Sequence, residues 1–138
     1  MIEISEQDYG SVCDFKDDLI CEFAEARGQP FGWEEFTFEA LDNGERVGVI
    51  MGCRLYDWLY VDYIVVTKAS RGEGVGSLLL DRAETLAREQ ALEGVALDTF
   101  RYQAPAYYAT RGYAERMVIP GKTRKRDRIY FQKRLEEK

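Results

Sequence analysis

A chain of 138 residues with 46% hydrophobic and 13% aromatic side chains has enough apolar material to build one folded core, which excludes a disordered chain. It has no histidine, which removes Ser-His and Cys-His nucleophile pairs and histidine-based metal sites, so no metal is expected. The net charge of −6 is uneven: residues 1–60 carry fourteen carboxylates against four cations, and residues 61–138 eleven against fifteen. An acidic front half does not suit nucleic acid, which needs a basic face, but it suits a cationic small molecule.

Residues 2–4 read as a short first strand, without the basic and apolar regions of a signal peptide. Val12, Phe15, Leu19, Ile20 and Phe23 recur at spacings of three and four with acidic residues between them, predicting a helix over 9–26. Gly28 and Pro30 end it. Residues 31–35 are ambiguous and fit a helical turn. Residues 36–41 alternate as a half-buried strand does, and Asn43-Gly44 marks a hairpin turn into a return strand over 47–55. Gly48 and Gly52 in that strand predict close approach of another backbone. Residues 59–66 are β-branched and aromatic, as a central strand should be.

A polar glycine-rich turn follows over 67–76, then a helix over 75–90 with Val75, Leu78, Leu79, Ala83, Leu86 and Ala87 as its apolar stripe. Residues 94–100 read as a buried strand. Pro105 and Gly112 bracket a short helix over 104–111. Residues 113–119 and 128–135 form a final antiparallel pair. This order predicts an α/β fold in one domain, a mixed sheet with helices on both faces. No apolar run approaches the roughly 20 residues of a membrane span, so no membrane partner is expected. Cys13, Cys21 and Cys53 lack metal-ligand spacing and read as reduced thiols of a cytoplasmic protein.

The turn Arg71-Gly72-Glu73-Gly74-Val75-Gly76 carries the chemistry. A helix start offers unpaired N–H groups and partial positive charge, and glycines let that backbone approach a ligand. Together they suit phosphate or pyrophosphate, with Arg71 adding a forked cation. The bland alternative is a tight strand-to-helix connection that binds nothing. The dinucleotide fingerprint G-x-G-x-x-G does not fit, because the spacing here is G-x-G-x-G deep in the chain. Gly121-Lys122-Thr123 is no phosphate-binding P-loop either, because Arg116 stands where the first glycine is required.

The segment from Val66 to Gly76 resembles the R/Q-x-x-G-x-G/A signature of the GNAT superfamily of acetyl-CoA-dependent N-acetyltransferases. That signature follows the family's fourth strand, its place here when residues 2–4 are counted. Downstream, Ala104-Pro105-Ala106-Tyr107-Tyr108 with Gly112-Tyr113 is similar to the family's A-x-x-F-Y-x-x-x-G-F/Y segment. The resemblance implies a GNAT fold, with a mostly antiparallel sheet splayed after the fourth strand. It implies that Ile64, Val65 and Val66 pair with the pantetheine arm of acetyl-CoA. The N–H groups of Arg71, Gly72, Glu73, Gly74, Val75, Gly76 and Ser77 would then hold its pyrophosphate.

Tyr108 matches the family tyrosine near the thioester sulfur, where a phenol protonates the departing thiolate; aromatic packing is its alternative. Tyr107, about 100° around the helix, is read as core. Asp62 is read on a strand face with Tyr60, Ile64 and Val66. There it is either the base that takes the amine's proton or a carboxylate that orders the site through a partner. Asp98 is a weaker candidate, with capping as its alternative. Many family members carry Asn where Arg101 stands, and Gln103 is the candidate substitute.

Trp33, Tyr56, Trp58, Tyr60 and Tyr63 either line an acceptor pocket or, for most of them, belong to the core. The basic run 122–128 reads as a solvated hairpin loop. The expectation is direct acetyl transfer to the primary amine of a small cationic acceptor, with no covalent enzyme intermediate. A CoA-binding sensor without turnover is the alternative. A homodimer is the commonest assembly for such a domain.

Overall fold

The computed structural model describes residues 1–136, which fall into two compact units divided after Gly32. In the first, a 3-10 turn Tyr9–Val12 runs into α1, Cys13–Ala26. Gly28, at φ +70°, stops α1: its N–H bonds the Glu25 carbonyl, and Gln29 N–H reaches back to Ala24. This paired bond pattern satisfies carbonyls that a helix end would leave open. Residues 2–4 are not a strand. Three residues gain too little from one alternation of side chains to hold an extended ladder.

The second unit is a six-stranded sheet with two helices. The strands are β1 (Trp33–Asp42), β2 (Glu45–Leu55), β3 (Trp58–Val66), β4 (Gly94–Phe100), β5 (Ala114–Ile119) and β6 (Arg128–Arg134). Their order is β1-β2-β3-β4-β6-β5, and only β3 and β4 run parallel. The helices are α2 (Val75–Glu89) and α3 (Pro105–Thr110). The ambiguous residues 31–35 lead into β1 rather than a helical turn. Asn43 and Gly44, at φ +50° and +83°, make the tight β1–β2 turn whose twist matches that of the strands.

One face of the sheet is sealed by α2. Leu79, Leu80, Ala83 and Ala87 bury against Phe36, Ile50, Leu59, Val61, Val95, Leu97, Ile129 and Phe131. The stripe is rotated from the expected one: Leu80 is fully buried and Leu78 is 68% exposed. Positions 78 and 80 lie 200° apart around a helix, so burying one exposes the other. Glu84 also lies in the buried stripe. It accepts from the Tyr113 hydroxyl at 3.0 Å and from Lys133 Nζ at 2.9 Å, fastening α2 to the last strands.

The pairing of β3 positions the site. β3 meets β4 only from Trp58↔Gly94 to Val61↔Leu97. Beyond that, β3 stays with β2 as far as Val66↔Gly48, and β4 stays with β6 as far as Phe100↔Arg128. The strands therefore part, and residues 62–66 keep an open edge towards β4. With residues 2–4 outside the sheet, the splaying strand is the third in chain order.

A bulge sits where the splay begins. Gly52 pairs with Val61 and Met51 with Tyr63, leaving Asp62 as the extra residue. Gly52 is required here, because a Cβ would lie 1.9 Å from the Tyr60 carbonyl oxygen. Among the described residues no helix is long and apolar enough to cross a membrane.

Candidate active site

The glycine-rich turn leaves β3 through a 3-10 turn, Lys68–Ser70, and enters α2 at Gly74. Gly72 and Gly74 stand at φ +80° and +84°, a region costly for any residue with a Cβ. A Cβ on either would meet no protein atom within 4 Å, so the space above both is open. No side chain caps α2 and no acidic residue lies in its first turn. Among the described residues the six consecutive N–H groups from Gly72 to Ser77 meet no acceptor. Unpaired donors at a helix N-terminus form a cradle for phosphate oxygens. Arg71 Nε donates to the Val66 carbonyl at 3.3 Å, holding the turn against the end of β3.

The first turn of α2 is also fastened from α3. The hydroxyls of Tyr107 and Ser77 lie 2.6 Å apart in a hydrogen bond. Arg111 donates to the Tyr107 hydroxyl at 3.3 Å and to the Ser77 carbonyl at 3.5 Å, and it pairs with Asp81. Tyr107 packs its ring beside the core as expected, but its hydroxyl is bonded to the first turn of α2. Sequence reasoning missed this strap. The only signal was Tyr-Tyr in adjacent helical positions, which sends the two rings to different neighbours.

Tyr108 packs edge-on against Tyr107 and Tyr113 and tilted against Phe131, with ring centres 5.3 to 6.0 Å apart. Its hydroxyl has no hydrogen-bond partner among the described residues. Burial pushes its phenol above the usual range, with Tyr107 and Asp98 adding to the effect. The phenol therefore remains protonated at neutral pH and has a hydrogen to give.

Asp62 does not share a face with Ile64 and Val66. The bulge shifts the alternation by one residue, so Leu59 and Val61 before it and Ile64 and Val66 after it all turn towards α2. Asp62 keeps the face of Tyr60, turned away from α2. Partial burial raises its carboxyl above the ordinary range, and the charge of Asp98 raises it further. Asp98 itself accepts from Arg128 Nε at 2.8 Å, which makes it an ion-pair partner rather than a cap. The charge of Asp98 raises both Asp62 and Tyr108.

An open cavity of about 450 Å³ lies on this second face. Trp58, Tyr60, Asp62, Asp98 and Tyr130 are among its walls. The aromatic cluster is therefore not core. Trp58 and Tyr60 line the cavity, Trp33 and Tyr63 are at least half exposed, and Tyr56 sits at φ +52° in the β2–β3 turn. Gln103, the candidate substitute for the family's Asn, does not cap α3. Its Oε1 accepts from Phe100 N–H at 2.8 Å and from the Thr99 hydroxyl at 3.0 Å, closing the end of β4. Arg101 pairs instead with Asp127 at 3.1 Å. The basic loop between β5 and β6 is exposed around a 3-10 turn, Arg124–Arg126.

Residues 2–113 match the family described as Acetyltransferase (GNAT) family. Blasticidin-S acetyltransferase of Streptomyces morookaense is 38% identical over 85 residues, covering 61% of this chain and 62% of that protein. The match thus spans about three fifths of that relative's length. A crystal structure of an acetyltransferase from Bacillus cereus superposes with a TM-score of 0.81 at 25% identity, over 97% of this chain and 98% of the other. A Bacillus anthracis protein described as a streptothricin acetyltransferase, solved with acetyl coenzyme A, shares the fold. Its TM-score is 0.66 at 23% identity, over 73% of this chain and 62% of the other. A family match over most of the chain, on a sheet that splays beside a glycine-rich helix start, places this protein in the GNAT acetyltransferase family.

Proposed function

We propose that this protein transfers the acetyl group of acetyl-CoA directly to the neutral amine of a small, basic acceptor. The observation that carries this is a run of six unpaired N–H groups at the start of α2, which packs on β3, the strand whose edge is left open over residues 62–66. The donors from Gly72 to Ser77 fit a pyrophosphate, and Arg71 adds a cation beside it. The edge of β3 at Ile64, Val65 and Val66 fits the amides of a pantetheine arm, as a strand edge takes up an added peptide. Bound there, acetyl-CoA supplies an activated thioester carbonyl.

The rest is performed by the chain's own groups. Asp62 takes the proton that the acceptor ammonium must lose, directly or through water, before or as its nitrogen attacks the carbonyl. Its raised pKa makes it a stronger base than a free carboxylate. Tyr108 gives its hydroxyl hydrogen to the departing sulfur and regains one from the newly bonded nitrogen, directly or through water, so one C–N bond forms as one C–S bond breaks and the nitrogen is left with its single amide hydrogen. No nucleophilic side chain is needed in between. Trp58, Tyr60 and Tyr130 offer aromatic faces for the acceptor, and Asp62 with Asp98 attracts its cationic end. The name of the blasticidin-S relative points to an acceptor of antibiotic type.

Calorimetric titration with acetyl-CoA and with desulfo-CoA tests the cofactor site. Thiol release across a panel of amines, including blasticidin S, tests transfer. Micromolar binding of both ligands and amine-dependent thiol release are expected. Absence of binding would sink the transferase reading. Binding without release for any amine would favour a CoA sensor.

A further inference from the structure

The sheet contains a second bulge whose extra residue is also charged. On β5, Glu115 pairs with Phe131 and Met117 with Tyr130, leaving Arg116 as the inserted residue. Arg116 lines the same cavity as Asp62. A bulge re-aims the side chain it inserts, and here two bulges, one on either side of β4 and β6, turn opposite charges onto one concavity.

Both charges are uncommitted. Among the described residues Asp62 has no hydrogen-bond or ion-pair partner, and neither has Arg116. The cavity's other ionic groups are paired: Asp98 with Arg128, and Arg134 with Glu93. Their placement follows from the register. Asp98 faces Tyr130 across β4 and β6, and Tyr130 faces Met117 across β6 and β5. Arg116 therefore starts two strands from Asp98 and three from Asp62, roughly 14 Å of backbone separation from Asp62 at the usual spacing, a span that the two side chains shorten from either end. Aromatic side chains of Tyr60 and Tyr130 lie on the cavity wall with them.

We propose that the acceptor is dipolar, with its reacting amine at Asp62 and a carboxylate held by the Arg116 guanidinium several atoms away. This rests on the acetyltransferase reading and adds a second recognition point to it. A guanidinium binds a carboxylate through a fork of two hydrogen bonds, so the carboxylate also fixes which amine of the acceptor is presented. A plain monoamine satisfies only one end of the site, and a diamine sets a cation against Arg116.

The test compares 6-aminohexanoate, hexylamine and 1,6-diaminohexane, which share one chain length. Binding is read by calorimetry on the CoA-loaded protein, and turnover by thiol release. The native protein should favour 6-aminohexanoate over hexylamine by about tenfold in Kd, the size expected of a charge-assisted pair. Arg116→Gln should bring that ratio close to one, and Arg116→Glu should turn the preference towards the diamine. Arg116 is exposed on an outer strand, and an unchanged melting temperature would establish that both variants fold. Equal binding of 6-aminohexanoate and hexylamine, or a ratio that survives Arg116→Gln, overturns the proposal whether or not acetyl transfer is seen. Charge discrimination in binding without turnover of any amine would instead overturn the transferase reading and leave the dipolar site standing.

Discussion

The two faces of the sheet are built on opposite principles. Towards α2, every strand from β1 to β6 except β5 contributes buried apolar groups, and the one carboxylate there, Glu84, has its charge answered by Lys133 and Tyr113. On the other face, aromatic rings stand exposed beside two uncommitted charges, Asp62 and Arg116. A face that closes its hydrogen bonds and fills its volume fixes the fold. A face that leaves donors, acceptors and rings unanswered is available to a ligand.

That contrast can be broken or sharpened by substitution. The largest effect should come from the sealed side's geometry. Gly52→Ala places a methyl group against the Tyr60 carbonyl and should cost on the order of 3 kcal/mol or prevent folding, read as the midpoint of urea unfolding. A variant as stable as the native chain would mean that the β2–β3 bulge is not held as described.

Gly74→Glu should next remove CoA binding, by at least about 100-fold in Kd, because a carboxylate would enter the donor cradle and the backbone would leave φ +84°. Retained micromolar binding would refute the cradle. Tyr108→Phe should lower kcat by roughly 10- to 100-fold with little change in CoA affinity. In the native enzyme, kcat/KM should rise with pH through a carboxyl pKa above the ordinary value, as Asp62 loses its proton, and should fall only where Tyr108 ionises, above the usual range for a phenol. An alkaline limb that persists in Tyr108→Phe would assign that fall to another group. The smallest effect belongs to the strap: Tyr107→Phe deletes the hydroxyl's hydrogen bonds to Ser77 and Arg111 and should weaken CoA binding by about 2- to 10-fold while kcat at saturation is kept. A fall in kcat alone would show that Tyr107 acts elsewhere.

Much of the fold and part of the site were legible in the residue order. The hairpin turn at Asn43-Gly44 and the strand-to-helix turn at Gly72 and Gly74 declare themselves, because residues at positive φ are drawn from a short list. Helix and strand periods placed α2 and β4 within a residue of their observed bounds. What stayed hidden depends on phase. Neither Asp62 nor Arg116 carries a local sign that it is an inserted residue, so strict alternation misplaced Asp62 relative to Ile64 and Val66. The stripe of α2 was misjudged for the same reason, since a run of three leucines offers two phases and only packing chooses between Leu78 and Leu80. The exposed aromatics were read as core because large rings are usually covered, whereas Trp58 and Tyr60 line a cavity.

An unpaired strand edge is ordinarily an aggregation hazard, since any passing strand can add to it. The open edge of β3 lies inside the sheet rather than at its margin, because the wedge beside it is bounded by β4 and closes at Val61↔Leu97. A foreign polypeptide would bring side chains on alternate residues into a gap that narrows to zero. A slender amide chain without such branches fits more readily. The splay thus favours partners by girth: it keeps backbone hydrogen-bonding capacity on offer in a space better suited to a slender chain than to another strand.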